Sequence, residues 1–118
     1  VFCMPAPYRP GCPDDAFWIS GLSGVQMYLG GWAYAPANLA ATHHKTSFLL
    51  QPPPWPDRLR DSLAAVQRPT EQLLTQLAGD VGVTLIVGDL RAGPVSPALD
   101  ELAVRVFSNN DVRIYRLR

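Results

Sequence analysis

Proline sets the outer limits on what this chain can fold into. Twelve of its 118 residues are proline and nine more are glycine. Proline fixes φ and lacks an amide donor, so neither a long helix nor a central strand can run through it. Regular elements must therefore be short, with irregular chain between them. The prolines gather before residue 57, first from Pro5 to Pro13 and again in Gln51-Pro52-Pro53-Pro54-Trp55-Pro56. The second run favours polyproline II. It reads either as a stiff connector pinned by Trp55 or as a ligand for a proline-recognising module.

Length and balance of residue types narrow the class. A chain of 118 residues is expected to form a single domain, residues 1–118, and can bury about two thirds of its unfolded surface. Hydrophobic residues make up 47%, which is too many for a disordered chain. The formal net charge is zero, so the basic footprint of a nucleic-acid binder is missing. No apolar run approaches the roughly 18 residues that a membrane span needs. The chain opens at Val1 in an apolar dipeptide, and on that ground it is expected to be a piece of something longer.

Cys3 and Cys12 are the only cysteines and bracket a proline-rich segment. Their spacing fits neither a zinc site nor a C-x-x-C redox motif. A disulfide closing the loop is one reading and two unrelated thiols the other; a disulfide would place the domain in an oxidising compartment. Asp14-Asp15 and His43-His44 are sequence neighbours without companions at metal-ligand spacing, so no metal or other cofactor is expected. Gly21-Leu22-Ser23-Gly24 fails the G-x-S-x-G spacing of a nucleophile elbow and has no P-loop lysine. It reads as a turn between two strand-like pieces, Phe17–Ser20 and Val25–Leu29. Beyond it, Gly30-Gly31-Trp32-Ala33-Tyr34 sets glycines beside aromatics. That pattern serves close packing around a buried indole, or it presents flat rings to a sugar.

From Asp57 the pattern turns helical. Asp57 is a candidate N-cap, and Leu59, Leu63 and Val66 recur at helical spacing to about Gln67. Pro69 ends that helix and Thr70 can cap a second, whose stripe is Leu73, Leu74, Leu77 and Val81, closed by Gly79 or Gly82. Val83–Val87 follows as a β-branched apolar run of the kind that forms a central buried strand. Helix followed by buried strand predicts an α/β fold with a mixed, mostly parallel sheet flanked by short helices. In such sheets ligands bind beyond the carboxyl ends of strands, which singles out Asp89 and Arg91; the plain alternative is a loop ion pair. Ser96-Pro97 predicts a short helix through about Leu102. Val104–Phe107 and Val112–Leu117, joined by Ser108-Asn109-Asn110-Asp111, predict a C-terminal β-hairpin.

Two groups of residues together resemble a known type of domain. One is Cys3 and Cys12 with Phe17-Trp18-Ile19-Ser20 and Gly30-Gly31-Trp32-Ala33-Tyr34. The other is Gly82-Val83 through Asp89, then Ser96-Pro97 and Val112-Arg113-Ile114-Tyr115-Arg116-Leu117. The combination is similar to the C-terminal extracytoplasmic soluble domain of actinobacterial polytopic membrane proteins of the GT-C glycosyltransferase-like type. The resemblance implies a location outside the cell membrane and a tether through an N-terminal transmembrane region. It transfers no catalytic residue, because the catalytic carboxylates of such enzymes lie in loops between membrane helices.

The expected function is then a non-catalytic domain that recognises or positions a lipid-linked sugar or a cell-envelope glycan. Its partners would be its own membrane region and that glycan, with no nucleic acid. The residues expected to touch the sugar are Trp32, Tyr34 and Trp55 as stacking rings, with Asp89 and Arg91 as hydrogen-bonding partners. The competing expectation is a structural or partner-docking module without a small-molecule ligand.

Overall fold

A computed structural model of the chain describes residues 17–30, 36–41, 54–91 and 93–118. It divides into two compact units, Val1–Arg60 and Asp61–Arg118, with the boundary inside one helix.

In the first unit, α1 spans Phe17–Ser23 and α2 spans Pro36–Ala41. The extended piece expected at Phe17–Ser20 is therefore helical. The end of α1 shows why the following residues act as a stop. The Ser23 hydroxyl donates back to the Ile19 carbonyl and accepts from the Val25 amide. Gly24 then takes φ of 70° while its amide donates to the Ser20 carbonyl at 2.8 Å. A left-handed residue just past the last turn is the usual work of glycine at a helix C-terminus. Among the described residues of this unit, Leu29 and Asn38 are buried.

Helix α3, Pro56–Gln67, starts in the first unit and ends in the second. Pro56 occupies its opening turn, where the missing amide costs nothing. Asp57 lies inside that turn and pairs with Arg60 at 2.9 Å instead of capping. Helix α4, Glu71–Gln76, begins as expected at Thr70, whose extended backbone lets Oγ1 accept from the Leu73 amide at 3.2 Å. It widens into a π-helical turn, Leu77–Val81, and stops at Gly82 with φ of 80°.

Three strands follow: β1 at Leu85–Asp89, β2 at Val104–Ser108 and β3 at Val112–Arg116, with the short helix α5, Leu99–Leu102, between β1 and β2. The sheet order is β1-β3-β2 and both pairings are antiparallel. This overturns the expected mostly parallel sheet. The expected strand also lies two residues later than Val83–Val87, and β1 is an edge strand, whereas β3 is central. The physical reason is an insertion. Because β1 and β2 each run opposite to β3, they run the same way as each other, as helix-linked strands do; β3 returns between them and becomes the hydrogen-bonded neighbour of both. The result is a split βαβ arrangement.

The β2–β3 hairpin is present, and its turn is held by Asn109. Asn109 Oδ1 accepts from the Asp111 amide at 2.9 Å and the Val112 amide at 2.7 Å. The two strands carry a bulge between Arg105 and Phe107.

Register assigns the two faces of the sheet. Ile86 stands opposite Tyr115, and both are buried with Leu74, Leu77, Val95, Leu99 and Ala103. Fully burying side chains of this size stabilises a fold by about 1.5–3 kcal/mol each. Leu85 faces Arg116, which faces Val104; Val87 faces Ile114, which faces Phe107. That second face is open, with Leu85, Val104 and Phe107 all substantially exposed.

Candidate functional site

The residues singled out by the sequence fall into three groups. Trp32, Tyr34, Cys3, Cys12, Asp14-Asp15 and His43-His44 lie outside the described residues. Trp55 belongs to the first unit, and Asp89 and Arg91 belong to the second.

Asp89 is the last residue of β1, paired across the sheet with Val112. Its Oδ1 accepts from the Arg91 amide at 2.9 Å and from Arg91 Nε at 3.0 Å, while Oδ2 accepts from Arg91 Nη2 at 2.8 Å. This is a two-pronged carboxylate–guanidinium pair with a backbone bond added, the geometry in which arginine binds carboxylate best. The Asp89 side chain is 9% exposed and that of Arg91 52%. The hydrogen bonds from the Arg91 side chain hold the Asp89 carboxyl below its ordinary pKa, against the opposing effect of burial. The same contact raises the pKa of Arg91. Both carboxylate oxygens are thus engaged in shaping the turn, through which Leu90 also donates to the Asp111 carbonyl at 2.8 Å. Ligands gather beyond the carboxyl ends of strands in parallel sheets, whereas this sheet is antiparallel.

Trp55 has a different setting. It precedes α3, and its carbonyl accepts from the Leu59 amide at 3.3 Å. One turn further on, Arg58 places its guanidinium carbon 5.4 Å from the centre of the Trp55 ring and 5.2 Å from that of Tyr28. Arg58 Nη1 also donates to the Tyr28 carbonyl at 3.2 Å. Distances below about 6 Å are those of an attractive cation–π contact. Trp55 remains 43% exposed. The structure therefore gathers Tyr28, Trp55 and Arg58 into one aromatic–cationic cluster at the surface of the first unit.

Of these three, only Trp55 was singled out by the sequence. The spacing of Trp55 and Arg58, three apart at a helix start, places both on one side of the first turn and could have flagged Arg58. Nothing local marks Tyr28, which comes from thirty residues earlier.

Set against protein-family models, curated proteins and solved structures, the chain matches none. Among the described residues no three His, Cys, Asp or Glu side chains gather as a metal site would require. No helix among them is long and apolar enough to cross a membrane. A cleft of about 290 Å³ opens in the second unit between α4, α5 and the residues after β3, lined by Glu71, Leu74, Thr75, Glu101, Leu102, Leu117 and Arg118. Ser23, within Gly21-Leu22-Ser23-Gly24, is engaged on both sides by its own helix end, an arrangement that serves chain termination.

Proposed function

We propose that the chain is a non-catalytic extracytoplasmic recognition domain of a GT-C-like membrane glycosyltransferase, tethered through an N-terminal transmembrane region and positioning a lipid-linked sugar or cell-envelope glycan. The observation that carries this reading is the Trp55 ring, partly open to solvent and held in place by Arg58. A sugar presents a flat apolar patch of C–H groups, and a fixed indole offers a matching surface with little entropy to lose on binding. The resemblance of the flanking motifs supplies the cellular setting.

The test is titration of the whole chain with neutral hexose and pentose oligosaccharides, followed by calorimetry and by the indole N–H resonances. Saturable binding that disappears in a folded Trp55→Ala variant is the expected result. Binding that survives that variant unchanged overturns the role of Trp55, and no binding by any sugar removes the recognition reading. The setting has its own check: Cys3 and Cys12 in protein from an oxidising compartment should resist alkylation until reductant is added.

One observation favours a second reading, a structural or docking module. Leu85, Val104 and Phe107 share the open sheet face, and Val106 is exposed at the bulge. Phe107→Asp would then release a partner while leaving the second unit folded.

A further inference from the structure

We infer that the Tyr28–Arg58–Trp55 cluster is a site for a negatively charged sugar unit, whose carboxylate or phosphate is taken by the Arg58 guanidinium while the sugar ring lies on Trp55. This rests on the sugar-recognition reading and goes further by naming the charge of the ligand.

Arg58 is held from three sides. Two rings and one backbone carbonyl fix its head: the Tyr28 ring at 5.2 Å, the Trp55 ring at 5.4 Å, and the Tyr28 carbonyl at 3.2 Å from Nη1. A guanidinium held against aromatic faces keeps its remaining N–H edge for in-plane acceptors, and that edge matches the paired oxygens of carboxylate and phosphate. The neighbouring acid Asp57 does not fill it, because Asp57 pairs with Arg60 at 2.9 Å. Among the described residues Arg58 has no carboxylate within ion-pair reach, whereas Arg91 is closed onto Asp89 and Arg105 lies 3.4 Å from Asp100. Arg58 is thus an ordered cation with donors to spare, set beside an exposed indole. Its side-chain entropy has already been lost to the rings, so an incoming anion meets a preformed partner.

The experiment compares glucose, glucose 1-phosphate and methyl glucuronide binding to the whole chain by calorimetry at low and at high salt. The expected result is that one or both charged sugars bind at least about tenfold tighter than glucose at low salt, a difference that falls as salt rises. Preference for the phosphate alone or for the carboxylate alone identifies which anion is read. The preference should vanish in Arg58→Gln, be retained in part in Arg58→Lys, and be unaffected in Arg68→Gln. The salt series on the unaltered chain needs no variant, so the test stands even if Arg58→Gln fails to fold. Equal binding of neutral and charged sugars overturns the inference while leaving recognition by Trp55 in place. If none of the three sugars binds and neutral oligosaccharides also fail, both readings fall together. A charge preference that persists in folded Arg58→Gln places the anion elsewhere and overturns the assignment.

Discussion

Val95 closes directly over Gly88: a Cβ on residue 88 would stand 2.7 Å from Val95 Cγ2 and 3.0 Å from Cγ1. Both residues are buried. The valine methyls sit on a branched, stiff Cβ and cannot swing aside, so glycine is required here by the close approach of a loop to a strand. Gly88→Ala should destabilise the second unit by about 1–3 kcal/mol. Val95→Ala should recover part of that loss in the double variant, although it costs stability alone. Denaturant unfolding of the four-member cycle measures the coupling, and strictly additive effects would contradict the close approach.

The Asp89–Arg91 pair predicts an acid-sensitive turn. Asp89 has a folded-state pKa below the ordinary value of 3.8, so the unfolded chain takes up this proton first as pH falls. The pair's stabilisation is complete above about pH 5 and is lost as acid carries the solution down through the folded value. Asp89→Asn should lower stability at neutral pH by about 1 kcal/mol, a modest loss because Arg91 is half exposed. It should also flatten the thermal stability profile between neutral and acid pH. An unchanged acid limb in that variant would assign the sensitivity to other carboxylates.

Tyr115 is fully buried at the centre of the sheet, yet its hydroxyl has no hydrogen-bond partner among the described residues. A buried polar group without a partner costs about 1–3 kcal/mol. Tyr115→Phe keeps the ring and removes the hydroxyl, so its melting temperature should equal or exceed that of the natural chain. Tyr115→Leu, which changes the ring as well, should fall below both. A clear loss in the phenylalanine variant would reveal a bond from the hydroxyl.

Thr70 supplies one side-chain acceptor to an amide at the start of α4. Thr70→Ala should cost about 1 kcal/mol and Thr70→Ser or Thr70→Asp much less. Amide exchange at Leu73 should speed up selectively in the alanine variant.

Legibility in the sequence followed the range of the interaction involved. Thr70 as cap, a glycine stop at Gly79 or Gly82 and the Asn109 turn act over two to five residues, and each is visible in the order of residue types; the structure uses Gly82. The helical stripe from Leu59 to Val66 was visible for the same reason. Phe17–Ser20 is helical although its order of residues suggests an extended piece, because a short apolar run such as Phe17-Trp18-Ile19 fits a buried strand and a helix turn equally well. The sheet order is not legible in the sequence because the alternation of helix and strand reports only the shared direction of β1 and β2. Whether a third strand enters between them depends on contacts between Val87 and Ile114, or Phe107 and Ile114, which no local pattern records. At the candidate site Trp55 was visible as an aromatic in a stiff segment. Its company was not, since Tyr28 arrives from a distant part of the chain.

The position of β3 has a consequence for synthesis on the ribosome. It is the last strand made and the middle strand of the sheet, so β1 and β2 have no sheet neighbour while the nascent chain is shorter than residue 112. Until then the apolar strand β2 is exposed along both of its edges, and Tyr115 has not arrived to lie against Ile86. Assembly of the sheet therefore waits until β3 has left the exit tunnel. A stalled product ending between residues 104 and 112 would carry two unpaired strands and be a ready target for chaperones and proteases.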